Sequence, residues 1–139
     1  MRRRGFTLIE LMMTVAIISI VASVAIPKFG NMIVRAKESS TKGALGGIRS
    51  AISIYYSDME GVNPSAGGLM TALTTGGKYL DHPPYARVPV PGNHGDQSSV
   101  LDYVGAYTDV GNWVYFGSTG AVAVNCTHPD TSAQIWSTW

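Results

Sequence analysis

The chain has 139 residues, 45% of them hydrophobic and only 14% charged, against roughly 25% charged in an average soluble domain. That apolar content excludes a disordered tail, and a single cysteine excludes an internal disulfide or a Cys-clustered metal site. The net charge of +1 hides an asymmetry: residues 1–49 hold eight Lys/Arg against two acids, residues 50–139 two against seven.

The first predicted element is a membrane helix. Phe6 to Ile26 reads FTLIELMMTVAIISIVASVAI, 21 residues with one charge. As a helix it would be about 31 Å long at ~1.5 Å per residue, close to the hydrocarbon thickness of a bilayer. An ordinary secretory signal is the alternative, with Arg2–Arg4 as its basic region and Ser23-Val24-Ala25 as its cleavage site. The apolar run exceeds the usual ~7–15 residues of such a signal, and the helical pattern continues past Pro27. Lys and Arg flank both ends, so charge alone does not orient the segment.

Glu10 is the single charge in that run. A carboxylate in the apolar core costs roughly 2.5–3.5 kcal/mol even on a lenient insertion scale. Either Glu10 lies shallow enough to reach headgroup water, or it meets a cation from another chain. No Lys or Arg occurs between Phe6 and Ile26. Cleavage after Gly5 would create a cation, the free amine of Phe6.

Arg2-Arg3-Arg4-Gly5 followed by Phe6-Thr7-Leu8-Ile9-Glu10-Leu11 resembles the class III signal of type IV pilins and of type II secretion pseudopilins. The likeness covers about residues 1–60. It implies cleavage between Gly5 and Phe6 by a prepilin peptidase and N-methylation of Phe6. It further implies that Glu10 pairs with the Phe6 amine of a neighbouring subunit. Pro27 and Gly30 stand where such proteins have a helix break. The implied partners are further copies in a helical filament, the peptidase, an inner-membrane assembly platform and, before assembly, the lipid bilayer. The implied location is the bacterial inner membrane as a single-pass precursor with its globular end outside, then an extracellular or periplasmic filament. Many type IV pilins close their C-terminal loop with a disulfide, and many major pseudopilins carry an Asp-Pro-Trp-Gly stretch near a calcium site. This chain has only Cys126 and lacks that stretch, which leaves pilus and secretion pseudopilus both open.

The helix is expected to continue over residues 28–60. Leu45, Ile48, Ile52, Tyr55 and Met59 recur at spacings of three and four and form an apolar stripe. Gly61 ends it. Gly43, Gly46 and Gly47 are expected to let the helix pack closely on the chain's own globular part. Pro27 disfavours a continuous helix, and the resemblance implies that the stretch Pro27–Gly30 bends or melts when subunits enter a filament. Lys28, Arg35, Lys37 and Lys42 would meet anionic headgroups, solvent, or acidic surfaces of neighbouring subunits.

Residues 61–99 read as a long loop broken by Gly, Pro and Ser, with a short helix at Leu69 to Leu73. Asn112 to Phe116 and Ala121 to Cys126 read as a hairpin around Gly117-Ser118-Thr119-Gly120, and Val100–Val104 as a third strand. The expected architecture is α+β: a long N-terminal helix packed against a small antiparallel sheet, with Trp136 and Trp139 docked on the body. The expected divisions are 1–5 leader, 6–27 membrane and assembly helix, 28–60 its continuation, and 61–139 the globular region.

Enzymatic motifs are missing: there is no HExxH, GxSxG, CxxC or phosphate loop. No cofactor is expected. His82, His94 and His128, with Asp81 and Asp96, are metal candidates weighed against exposed loop histidines. Asp102, Asp109 and Asp130 are weighed for calcium against ordinary surface carboxylates. Asn125-Cys126-Thr127 matches a glycosylation sequon on a strand end and is discounted. No nucleic-acid groove accompanies the basic residues. The expected function is a filament subunit, with a type II secretion pseudopilin and a monomeric membrane-anchored binding protein as alternatives.

Overall fold

The computed structural model describes residues 5–89, 94–102 and 107–139, with backbone alone at 66, 101 and 102. The basic run Arg2–Arg4, the loop stretch Pro91–Asn93 and the expected strand end at Tyr103–Val104 lie outside the described residues. The first helix, α1, spans Leu8–Asp58 and contains Pro27. The chain divides into two compact units, Met1–Val34 and Arg35–Trp139. In the first, the large apolar side chains from Phe6 to Ile33 are exposed. They have no core of their own to enter, and α1 is long and apolar enough to cross a membrane.

The second unit is built on the C-terminal half of α1. Glu38, Thr41, Leu45, Ile48, Ala51 and Ile52 are buried, at the three- and four-residue spacing of one helical face. Tyr55 packs against that core. Met59 is 42% exposed, because the helix has already ended and Gly61, at φ +90, turns the chain away with its N–H on the Tyr56 carbonyl. The short helix α2, Leu69–Thr74, buries Leu69 and Leu73 in the same core.

Three strands follow: β1 Val100–Asp102, β2 Trp113–Phe116 and β3 Ala121–Val124, in the order β1-β2-β3. The hairpin β2–β3 is antiparallel, with Trp113 opposite Val124 and Phe116 opposite Ala121. β1 adds to it in parallel, Val100 opposite Trp113, so the third strand runs the other way from a pure meander. Alternation sorts the side chains: Trp113, Tyr115, Val122 and Val124 join the core cluster that also holds Leu45 and Ile48, while Val114 and Ala123 take the other face. Two aromatic handles pin the long loop to the sheet. The Trp113 indole N–H donates to the Pro84 carbonyl at 2.8 Å, and the Tyr115 hydroxyl to the Pro64 carbonyl at 3.0 Å. Asn125 is buried, its amide shared between Thr108 and Asn112, which leaves no room for a glycan at the sequon.

Gly43, Gly46 and Gly47 correct the sequence reading. All three are exposed, and a Cβ built on any of them meets nothing within 4 Å. The buried face lies on Thr41, Leu45 and Ile48, so the glycines face away from the chain's own core. Gly46→Ala should therefore raise stability by up to ~1 kcal/mol through helix propensity alone. Ile48→Ala, two residues on, should cost about 2–5 kcal/mol. Thermal melts of the detergent-solubilised chain check both signs.

Candidate assembly site

The N-terminal unit presents one polar constellation. Thr7 precedes the first turn of α1, and its backbone N–H and hydroxyl both donate to Glu10 Oε2, at 2.8 and 2.7 Å. The Glu10 N–H reaches back to the Thr7 hydroxyl at 3.3 Å. This reciprocal arrangement is a capping box, which satisfies donors that a helix start leaves without partners. Both contacts fall on Oε2; among the described residues Oε1 accepts no hydrogen bond. Phe6, 74% exposed, and Gly5 stand just ahead of the box. The T-x-x-E spacing of Thr7 and Glu10 is readable in the sequence, yet Thr7 drew no functional reading there.

In the second unit the C-terminal segment is clamped to α1 by polar contacts. The Thr131 N–H and hydroxyl donate to the two oxygens of the buried Glu38 carboxylate. Lys42 Nζ lies 3.2 Å from Asp130 Oδ2 and 4.0 Å from the centre of the Trp139 ring. Arg49 donates to the backbone oxygens of Val122 and Trp139. Trp136 is buried against Trp139, ring centres 3.9 Å apart, as the sequence reading expects. Thr41 ties the loop as well: its hydroxyl accepts from the Arg87 N–H and donates to the Arg87 carbonyl, both at 2.8 Å.

These contacts redistribute the charges read from sequence. Lys37 and Lys42 pair inside their own chain, with Asp96 at 3.9 Å and with Asp130. Lys28 and Arg35 have no ion pair among the described residues. Asp81 faces His82 at the surface, and Asp96 also approaches Arg87 at 3.9 Å, so neither supports a metal site with His94. Asp109 and Asp130 are not brought together for calcium, since Asp130 is taken by Lys42 and by the N–H groups of Ser132 and Gln134. The side chain of Asp102 lies outside the described residues. His94, Asp109, Cys126 and His128 do converge, a group the sequence reading did not assemble.

Residues 1–26 match the family model described as the prokaryotic N-terminal methylation motif. The chain is 43% identical over 82 residues to the fimbrial protein EcpC of Eikenella corrodens, covering 57% of this chain and 52% of that one. It is 34% identical over 139 residues to the type IV major fimbrial protein FimA of Dichelobacter nodosus, covering 99% of this chain and 86% of that one. The chain belongs to the type IV pilin family. A further relative, the type IV major pilin PilA of Myxococcus xanthus, is 40% identical over 78 residues, 56% of this chain and 36% of its own length. The chain thus spans about half or less of some relatives and most of another. No solved structure matches it significantly. The pilin likeness agrees with the α+β architecture, a long apolar helix followed by a small sheet.

Asp130 gives this pilin's C-terminal clamp a pH signature. Burial pushes its carboxyl up, but the Gln134 and Ser132 N–H groups and the Lys42 ammonium together hold it below its ordinary value. A carboxyl held below its unfolded value of about 3.9 contributes stability above that pH. The contribution is lost as pH falls through the folded value. Below about pH 4 the melting temperature should drop more steeply in the wild type than in Asp130→Asn. Parallel acid limbs in the two melting series would count against the clamp.

Proposed function

We propose that the chain is the structural subunit of a type IV pilus, polymerised through its N-terminal helix. The observation that carries this is Glu10: a carboxylate in an otherwise apolar stretch, capped by Thr7 on one oxygen only. A cut between Gly5 and Phe6 exposes an amine four residues ahead of Glu10. Pairing that amine with a neighbour's Glu10 neutralises both charges in an apolar surrounding. Such a pair adds little net stability, but breaking one partner costs about 3–5 kcal/mol. Docking registers without the pair are therefore rejected.

In this reading residues 1–5 are the leader and residues 6–27 the membrane and assembly helix. Residues 28–60 continue the helix, and residues 61–139 form the globular region. A prepilin peptidase removes the leader and methylates Phe6, and an inner-membrane platform drives assembly. The precursor spans the inner membrane once, globular end outside. Lys28 and Arg35, which make no ion pair among the described residues, face anionic headgroups before extraction. Pro27 cannot donate a backbone hydrogen bond, and Gly30 is a poor helix former, so this stretch of α1 is the one to loosen on entering the filament. The fimbrial and major-pilin names of the relatives favour a surface pilus over a secretion pseudopilus. Glu10 favours a subunit over a solitary anchored binding protein, because a monomeric anchor gains nothing from a carboxylate inside its apolar run.

Glu10→Ala and Glu10→Gln should both be processed normally yet yield no sheared filament. The Gln variant keeps an acceptor for Thr7, so it separates loss of charge from loss of the cap. Wild-type filament levels in either variant would reject the pairing. Gly5→Val should leave an uncut precursor, because the side chain adds bulk at the cleavage position. A mature mass identical to wild type in that variant would reject the cleavage site.

A further inference from the structure

We propose that His94, Asp109, Cys126 and His128 form a zinc(II) site that ties three segments of the globular unit together. Their ligand atoms all lie within 4.8 Å of one another. Cys126 Sγ is 3.5 Å from His128 Nδ1, and His128 Nδ1 is 3.8 Å from Asp109 Oδ1. A tetrahedral zinc with bonds of ~2.0–2.3 Å sets its ligands roughly 3.3–3.8 Å apart. These two separations match the edge lengths of such a site, and the remaining ligand–ligand separations are at most 4.8 Å.

His94 supplies the independent observation. Both of its ring nitrogens are buried, and neither has a hydrogen-bond partner among the described residues. Buried polar atoms are rarely left so, and this imidazole stands beside a thiol, a carboxylate and a second imidazole, the company of a metal ligand. The ring meets His128 edge-on, centres 5.3 Å apart. It lies against Gly111, whose φ is +78; a Cβ there would come within 2.6 Å of His94 Cδ2. The missing side chain gives the ring its place.

Asp109 is held for the same task. It adopts φ +53, a left-handed conformation uncommon outside glycine. The N–H and hydroxyl of Thr127 donate to its carboxylate. Contacts of this kind orient metal-ligating carboxylates from behind. The donor set decides the metal. Two imidazoles, one thiolate and one carboxylate suit zinc, whereas calcium and magnesium take six or more oxygen ligands. On binding, the Cys126 thiol releases its proton to solvent. The thiolate and the Asp109 carboxylate then balance the two positive charges of the ion. The site joins the loop at His94, the approach to β2 at Asp109, and the Cys126-x-His128 turn after β3.

The test is titration of the full chain in detergent, stripped with a chelator, by Zn²⁺ in competition with a chromophoric chelator, and separately by Co²⁺. One Zn²⁺ per chain is expected, and the Co²⁺ form should show thiolate-to-metal charge transfer with tetrahedral d–d bands. Cys126→Ser should abolish the charge-transfer band. His94→Gln and Asp109→Asn, which lie outside the hydrophobic core, should weaken Zn²⁺ binding at least ~10-fold. His82→Gln, outside the group, should leave it unchanged. A small fraction of an equivalent, a Co²⁺ spectrum without the thiolate band, or an affinity indifferent to His94→Gln would overturn the proposal.

Discussion

An ionisable carboxylate inside an apolar helix has few stable arrangements, and Glu10 narrows them further. The apolar run that holds it, Phe6 to Ile26, contains no Lys or Arg. The capping box with Thr7 quiets one oxygen and starts the helix, but hydrogen bonds from neutral donors do not cancel a charge. The surrounding side chains, from Phe6 to Ile33, are exposed and apolar, so they need lipid or like helices around them. The same few residues thus set both requirements: an apolar surrounding and a positive charge delivered within it. A bundle of identical helices whose first residue carries a free amine meets both.

The globular unit solves a different problem, how to hold a C-terminal segment with a single cysteine. It uses the helix that its core already needs. Glu38 on the buried face of α1, and Lys42 and Arg49 beside it, reach Thr131, Asp130 and the Trp139 backbone oxygen. Trp136 is inserted beneath. Each contact is modest, yet Glu38 is buried and its two oxygens are matched by two donors of one residue. Removing either partner strands a polar group, which costs about 1–3 kcal/mol. The proposed zinc site, at Cys126 and His128 just ahead of this segment, would add a further tie.

The periodic parts of this structure were legible. The stripe of Leu45, Ile48 and Ile52 and the β2–β3 hairpin follow from helical and strand periods, and each forms where its pattern says. Met59 continues the pattern but falls past the helix end, which Gly61 decides. The three glycines were misread because a glycine permits close packing without requiring it. Glu38 and Thr131 are 93 residues apart, and no local pattern announces a pairing at that distance. The His94 group draws on three separate segments; only Cys126-x-His128 carries a local spacing, too short to identify a site. Thr7 was legible in the T-x-x-E spacing, overshadowed by the charge beside it.

The most direct test of the Glu10 pairing is a distance measured between subunits. Fibres would be assembled from two pools, one labelled with ¹³C at the Glu10 side-chain carboxylate and the other with ¹⁵N at the Phe6 amine. Solid-state NMR dipolar recoupling then reports contacts between chains only. The pairing predicts a carboxylate-to-amine coupling corresponding to contact within about 4 Å. Well-formed fibres with no such coupling would contradict it.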